Sequence, residues 1–193
     1  MGGNAPAAFL PLAALALCTL LLDITATADV PVSLAGNVLP ANPRRLVGPV
    51  FNKILIVCIG NICRSPTAEY LMRDRLRGRA VSVESAGLAA LVDYPIDPTA
   101  GELLAEHGLD ASLHRARQLD DAAIASADLI LVMQRSHIVT LSKRSPHAVG
   151  RTFLLGKWQG DQEIPDPYRR GRSAFEHAYQ LIEEGVGSWL RHF

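Results

Sequence analysis

The run Lys53-Ile54-Leu55-Ile56-Val57 is apolar after its first residue, rich in β-branched side chains, and lacks the polar alternation of a half-exposed strand. A strand of that kind is buried on both faces, which puts it inside a parallel sheet covered by helices. The chain that follows alternates accordingly. Ser65-Pro66 reads as a helix start, with Ser at the N-cap and Pro at the first helical position; Ala68, Leu71, Met72 and Leu76 share one face, and Gly78 is the stop. Val81 to Ser85 alternates as a second strand. Pro98 to His107, closed by Gly108, reads as a second helix with a stripe of Ala100, Leu103 and Leu104. Asp128 to Met133 gives a third, buried strand and Arg151 to Leu155 a fourth. Ser173 to Leu190 forms a long last helix, with Phe175, Ala178, Leu181, Ile182 and Val186 toward the core and Gly185 a weak point. The expectation is an α/β fold: a four-stranded parallel sheet with helices on both faces and right-handed crossovers.

That domain is expected over residues 50–193. Residues 1–49 differ, since Arg44 and Arg45 are their only basic residues and Phe9 to Leu22 is almost wholly apolar. Ala26-Thr27-Ala28 has the small-x-small form of a signal cleavage site, yet the positive n-region is missing and Pro11 and Asp23 interrupt or border the run. The run also falls short of the ~20 residues that span a bilayer, so no stable membrane insertion is expected. Three readings stand: a disordered extension, a signal-like segment that would export the protein, or an artefact of a start site set before Val50.

Composition narrows the function. Lys plus Arg equals Asp plus Glu at 19 each, which leaves no net basic field to draw the chain onto nucleic acid. Three cysteines make neither a disulfide framework nor a zinc site, and suit a reducing, cytoplasmic setting or chemistry at one thiol. The six histidines show no ligand or triad spacing, and surface or helix-end positions are their default.

In folds of this class ligands bind at the carboxyl ends of the strands. There the first strand runs into Cys58-Ile59-Gly60-Asn61-Ile62-Cys63-Arg64-Ser65-Pro66. Five residues between Cys58 and Arg64 allow a concave nest whose N–H groups converge, a phosphate-binding loop between strand 1 and helix 1. Gly60 is expected to supply a positive φ, Asn61 to tie the loop together, and Arg64 to grip two phosphate oxygens with its planar fork. A thiol facing a helix N-terminus, an arginine and a ring of N–H donors is stabilised as the thiolate, which makes Cys58 a nucleophile. Ser65 can donate its hydroxyl to that sulfur. Phosphoryl transfer from a phenol also calls for a proton donor, and Asp166, between Pro165 and Pro167 after the fourth strand, is the candidate.

The stretch Val57 to Pro66 resembles the signature of the low-molecular-weight protein tyrosine phosphatases, and Asp166-Pro167-Tyr168 is similar to their acid loop. Ser85-Ala86-Gly87, His114-Arg115-Ala116-Arg117-Gln118-Leu119 and Asp128 to Met133 fit the same family, so that the likeness runs from about Phe51 to the C-terminus. It implies that Cys58 is the nucleophile, Arg64 the phosphate clamp, Asp166 the general acid and then base, and Asn61 and Ser65 the supports; Ile59, Gly60, Ile62 and Cys63 complete the loop. Tyr168 would wall the phosphotyrosine ring. No metal or organic cofactor is required. Leu154 to Trp158, together with Arg169 in place of a second aromatic, resembles the bacterial members associated with capsule and exopolysaccharide export, whose usual partner is a membrane-anchored tyrosine autokinase.

Three rival functions meet obstacles in the sequence. An arsenate reductase on this fold needs resolving cysteines downstream, and none follows Cys63. A protein-arginine phosphatase would carry a small polar residue where Ile62 stands. A non-catalytic phosphate-binding module would have lost Cys58 or Asp166. Cys63, a second thiol on the loop, is expected to protect Cys58 against irreversible oxidation.

Overall fold

The computed structural model describes residues 51–193. The three readings of residues 1–49, and Val50 as a start, lie outside the described residues. Four parallel strands, β1 (Lys53–Cys58), β2 (Ser82–Gly87), β3 (Leu129–Val132) and β4 (Thr152–Leu154), stand in the order β2-β1-β3-β4. β1 is therefore flanked on both sides, as its unbroken apolar run requires. It pairs from Lys53 with Ser82 through Cys58 with Gly87 on one side, and from Ile54 with Leu129 through Val57 with Val132 on the other.

Alternate residues of β1 enter two cores. Ile54 and Ile56 pack with α1 (Arg64–Arg75), α2 (Pro98–Glu106) and α5 (Arg172–Trp189), whereas Leu55 and Val57 face α3 (Asp121–Ser126) and α4 (Arg135–Arg144). Each such side chain, fully buried, contributes about 1.5–3 kcal/mol by leaving water. α2 is capped as its sequence suggests: the Asp97 carboxylate accepts from the Thr99 N–H at 3.0 Å, and Pro98 takes the first helical position. Gly108 follows the helix with a positive φ of 77°.

The structure corrects several expectations. α1 starts at Arg64, so Cys63 and not Ser65 is the N-cap, and Ser65 is free to turn its hydroxyl into the loop. The helix ends at Arg75, short of Gly78. Leu181 is only half-buried; Tyr179 and Trp189 complete the inner face of α5. Gly185, expected as a weak point, is where α5 meets the end of β4. A Cβ there would lie 3.0 Å from Leu155 Cγ and 3.1 Å from its carbonyl oxygen. That close approach also lets Trp189 Nε1 donate to the Leu155 carbonyl at 2.9 Å. The helices α3 and α4 stand where the sequence pattern gives no helix.

Candidate active site

The loop that leaves β1 is held by its carbonyls. The carbonyl of Cys58 accepts from the Leu88 N–H at 2.9 Å, Ile59 from Ala89 at 3.0 Å, Gly60 from Leu91 at 3.0 Å and Ile62 from Asp97 at 2.8 Å. That of Asn61 faces His114 Nε2 at 2.7 Å, and that of Cys63 accepts from Thr67 Oγ1 at 2.8 Å. In a planar trans peptide the N–H of the next residue points opposite to the carbonyl. Six outward carbonyls therefore turn successive N–H groups to the concave side, toward the Cys58 sulfur. The Asn61 N–H reaches Cys58 Sγ at 3.3 Å, while those of Ile59, Gly60, Ile62 and Cys63 have no acceptor among the described residues. Such a nest takes an anion.

Asn61 carries the turn and locks it. Its φ is 56°, whereas Gly60 does not have a positive φ, so the left-handed position expected of Gly60 belongs to Asn61. Its side chain, wholly buried, donates through Nδ2 to Ser65 Oγ at 2.9 Å and Ser85 Oγ at 2.8 Å, and its Oδ1 accepts from the Arg117 N–H at 2.8 Å. Because Ser65 Oγ accepts from Asn61, its proton is free for Cys58 Sγ, 2.9 Å away. The Ser85 hydroxyl likewise donates its hydrogen bond to the buried Glu69 carboxylate. The crowded glycine at this site is Gly87: a Cβ there would stand 2.5 Å from the Ile59 carbonyl oxygen.

Arg64, only 2% exposed, lies between the loop and the acid segment. One terminal nitrogen donates to Gln134 Oε1 at 3.0 Å and the Ile164 carbonyl at 3.1 Å; the other meets the Asp166 carboxylate. Its Nε is buried without a partner among the described residues, a donor suited to an anion oxygen. The acid segment is hung from the sheet, since the Ile164 N–H donates to the Met133 carbonyl just beyond β3 at 2.9 Å. Asp166 Oδ1 accepts from the Tyr168 N–H at 3.2 Å, and Tyr168 closes one side of a cleft of about 150 Å³. Cys58, Ile59, Gly60, Ile62, Cys63, Arg64 and Asp166 line the same cleft; Ser65 and Asn61 lie buried behind it.

The structure thus brings together every residue expected at the site. It adds Glu69, Ser85, His114 and Arg117 behind the loop and Gln134 beside Arg64. His114 and His137 are buried, against the default surface placement. Both ring nitrogens of His137 are unpartnered among the described residues, and burial, aided by the Arg64 charge, pushes its pKa down to about 4. Burial above all, and then the Asp97 carboxylate, push the Cys63 thiol well above the ordinary cysteine range.

A parallel α/β sheet whose first strand delivers a cysteine into an N–H cradle, with an arginine and a carboxylate converging on it, defines a phosphatase that works through a cysteine. Comparison with known proteins agrees. The chain belongs to the low molecular weight phosphotyrosine protein phosphatases, whose family model matches residues 53–193, and it is a phosphoric monoester hydrolase acting on protein phosphotyrosine. It is 45% identical over 141 residues to the low molecular weight protein-tyrosine-phosphatase Etp of Escherichia coli K12, covering 73% of this chain and 94% of that relative. Among solved structures, Vibrio vulnificus Wzb in complex with benzylphosphonate matches with a TM-score of 0.71 and 45% identity, over 74% of this chain and 99% of that one. The arginine phosphatase YwlE of Geobacillus stearothermophilus matches with a TM-score of 0.66 and 31% identity, over 74% and 97%.

Proposed function

We propose that Cys58 attacks the phosphorus of a phosphotyrosine side chain, with Arg64 and the loop N–H groups holding the phosphate oxygens and Asp166 giving its proton to the departing phenol oxygen. The P–O bond to tyrosine breaks as the S–P bond forms, leaving a cysteinyl-phosphate. Water then attacks that phosphorus, Asp166 takes its proton, and the sulfur leaves as a thiolate steadied by the Ser65 hydroxyl. The single observation that carries this reading is the inward turn of the loop N–H groups over Cys58 Sγ. A developing negative charge there meets prearranged donors, which is the main source of rate in such sites.

Tyrosine rather than arginine as the phosphorylated residue is supported by Ile62, Leu91 and Tyr168, which give the cleft apolar walls for an aromatic ring. The higher identity to the tyrosine phosphatases than to the arginine phosphatase supports the same choice. The physiological substrate proposed is a tyrosine autokinase, or another protein of a bacterial exopolysaccharide pathway, met in the cytoplasm. A reducing compartment suits two free cysteines on one loop. Among the described residues no helix is long and apolar enough to cross a membrane. The test is hydrolysis of a phosphotyrosine peptide and a phosphoarginine peptide by the full chain with Cys58→Ser as control. Release from phosphotyrosine that vanishes in the variant is the expected result; preferential release from phosphoarginine, or activity that survives Cys58→Ser, overturns the reading.

A further inference from the structure

Tyr168 lines the cleft, and Arg169 follows it on a tight turn closed by the Arg170 N–H donating to the Pro167 carbonyl at 2.9 Å. Arg169 occupies its third position with a φ of 61°, where glycine or asparagine is the unstrained choice. The other non-glycine residues with positive φ among those described are Asn61, Asp93 and Asp161, all of types that tolerate it. A long cation kept in that conformation at a site rim points to a use for the cation. Its guanidinium carbon lies 5.2 Å from the centre of the Tyr168 ring, so the charge is held over the aromatic wall.

The neighbouring arginines differ in how their charge is used. Arg172 is taken up by Glu106 at 2.6 Å and Glu176 at 2.8 Å, which ties the first turn of α5 to the end of α2. Arg135 is directed to Glu163 and the Asp161 carbonyl. Arg169 and Arg170 are exposed, and their guanidinium groups have no carboxylate or carbonyl partner among the described residues.

We propose that Arg169, with Arg170 beside it, forms a cationic subsite at the cleft mouth that takes a carboxylate side chain flanking the phosphotyrosine, so that acidic phosphopeptides are the preferred substrate class. The inference rests on the reading of Cys58 and its loop as a phosphotyrosine site. Rim charges act through encounter and orientation, and each exposed pair is worth a small factor that salt removes.

The experiment compares two phosphotyrosine peptides of equal length, one with glutamate at two positions on each side and the other with glutamine there. For the unaltered chain kcat/KM should favour the acidic peptide by roughly fivefold at low salt, falling to near one at about 1 M salt. The ratio should drop to near one in R169A/R170A, fall below one in R169E/R170E and persist in R169K/R170K. R169G relaxes the turn while removing one of the two charges, and should lower the ratio toward that of R169A/R170A. A ratio near one in the unaltered chain, or one that R169G or R169E/R170E leaves unchanged, overturns the subsite. Failure of the underlying reading is seen separately, as no phosphate released from either peptide.

Discussion

Replacing Asn61 by alanine removes two donors and one acceptor from a fully buried position and forces a left-handed φ onto a residue that resists it. The Arg117 N–H loses its acceptor, Ser85 loses one of its two partners, and Ser65 is no longer oriented toward the sulfur. A loss of about 3 kcal/mol in urea unfolding, together with a fall in kcat, is the expected outcome. The two side chains proposed to react, Cys58 and Asp166, separate on leaving-group chemistry. Cys58→Ser should be inactive on every substrate, because the serine hydroxyl stays protonated. Asp166→Ala should lose roughly 10²–10⁴ on phosphotyrosine and much less on an aryl phosphate whose phenol leaves without help, read as the burst of released phenol. Equal losses on both would move the acid role to Glu163 or Asp161. Cys63 has a different chemistry, since its thiol stays protonated at neutral pH. After peroxide makes a sulfenic acid on Cys58, Cys63 can displace hydroxide to close a disulfide only as its thiolate. Trapping should therefore quicken about tenfold per pH unit across the alkaline range. Cys63→Ala should turn over substrate yet fail to regain activity with reductant, and full recovery would refute the protective role.

Between elements, the decisive contact is that of the β2 end with the phosphate loop. Gly87→Ala would drive a methyl group into the Ile59 carbonyl, which already accepts from Ala89. A destabilisation of about 1–3 kcal/mol is expected, with kcat falling more than KM rises, because the displaced peptide is one that turns its N–H into the cradle. Steady-state kinetics of the variant check this. The same level shows what the chain announces in its order of residues. The four strands and the helices α1, α2 and α5 were legible because their cores are apolar runs or clear stripes, and the loop because Cys58, Gly60, Asn61, Arg64 and Ser65 stand together between strand and helix. α3 escaped notice at six residues, although Asp120 caps it by accepting from the Ala123 N–H at 2.7 Å. α4 buries only His137 and Leu141, four apart, and carries the β-branched Ile138, Val139 and Thr140. A stripe that thin, in residues that disfavour helix, offers no period to read. The supports of Asn61 were hidden for another reason: Ser85, His114 and Arg117 lie 24, 53 and 56 residues away, and only the fold brings them near.

At the scale of the whole molecule, His137 ties stability to pH. Its ring is 1% exposed and held neutral, with a pKa of about 4 against an ordinary 6.5. As pH falls below 6.5 the unfolded chain takes up a proton that the folded one refuses, so stability declines with acidity until about pH 4, below which both states are protonated. Between pH 7 and pH 5 the loss should be about 2 kcal/mol. His137→Phe removes the titrating group, and its denaturant unfolding should show that much less difference between the two pH values. An equal acid slope in both proteins would rule His137 out as its source. The packing of Phe51 against Phe193, edge to face with ring centres 6.0 Å apart, has an engineering consequence. The two ends of the described chain meet beneath β1, roughly 17 Å of strand away from Cys58. A domain whose ends are neighbours can be spliced into a surface loop of a host protein, or anchored to a support by both ends at once, with its catalytic mouth pointing away from the attachment.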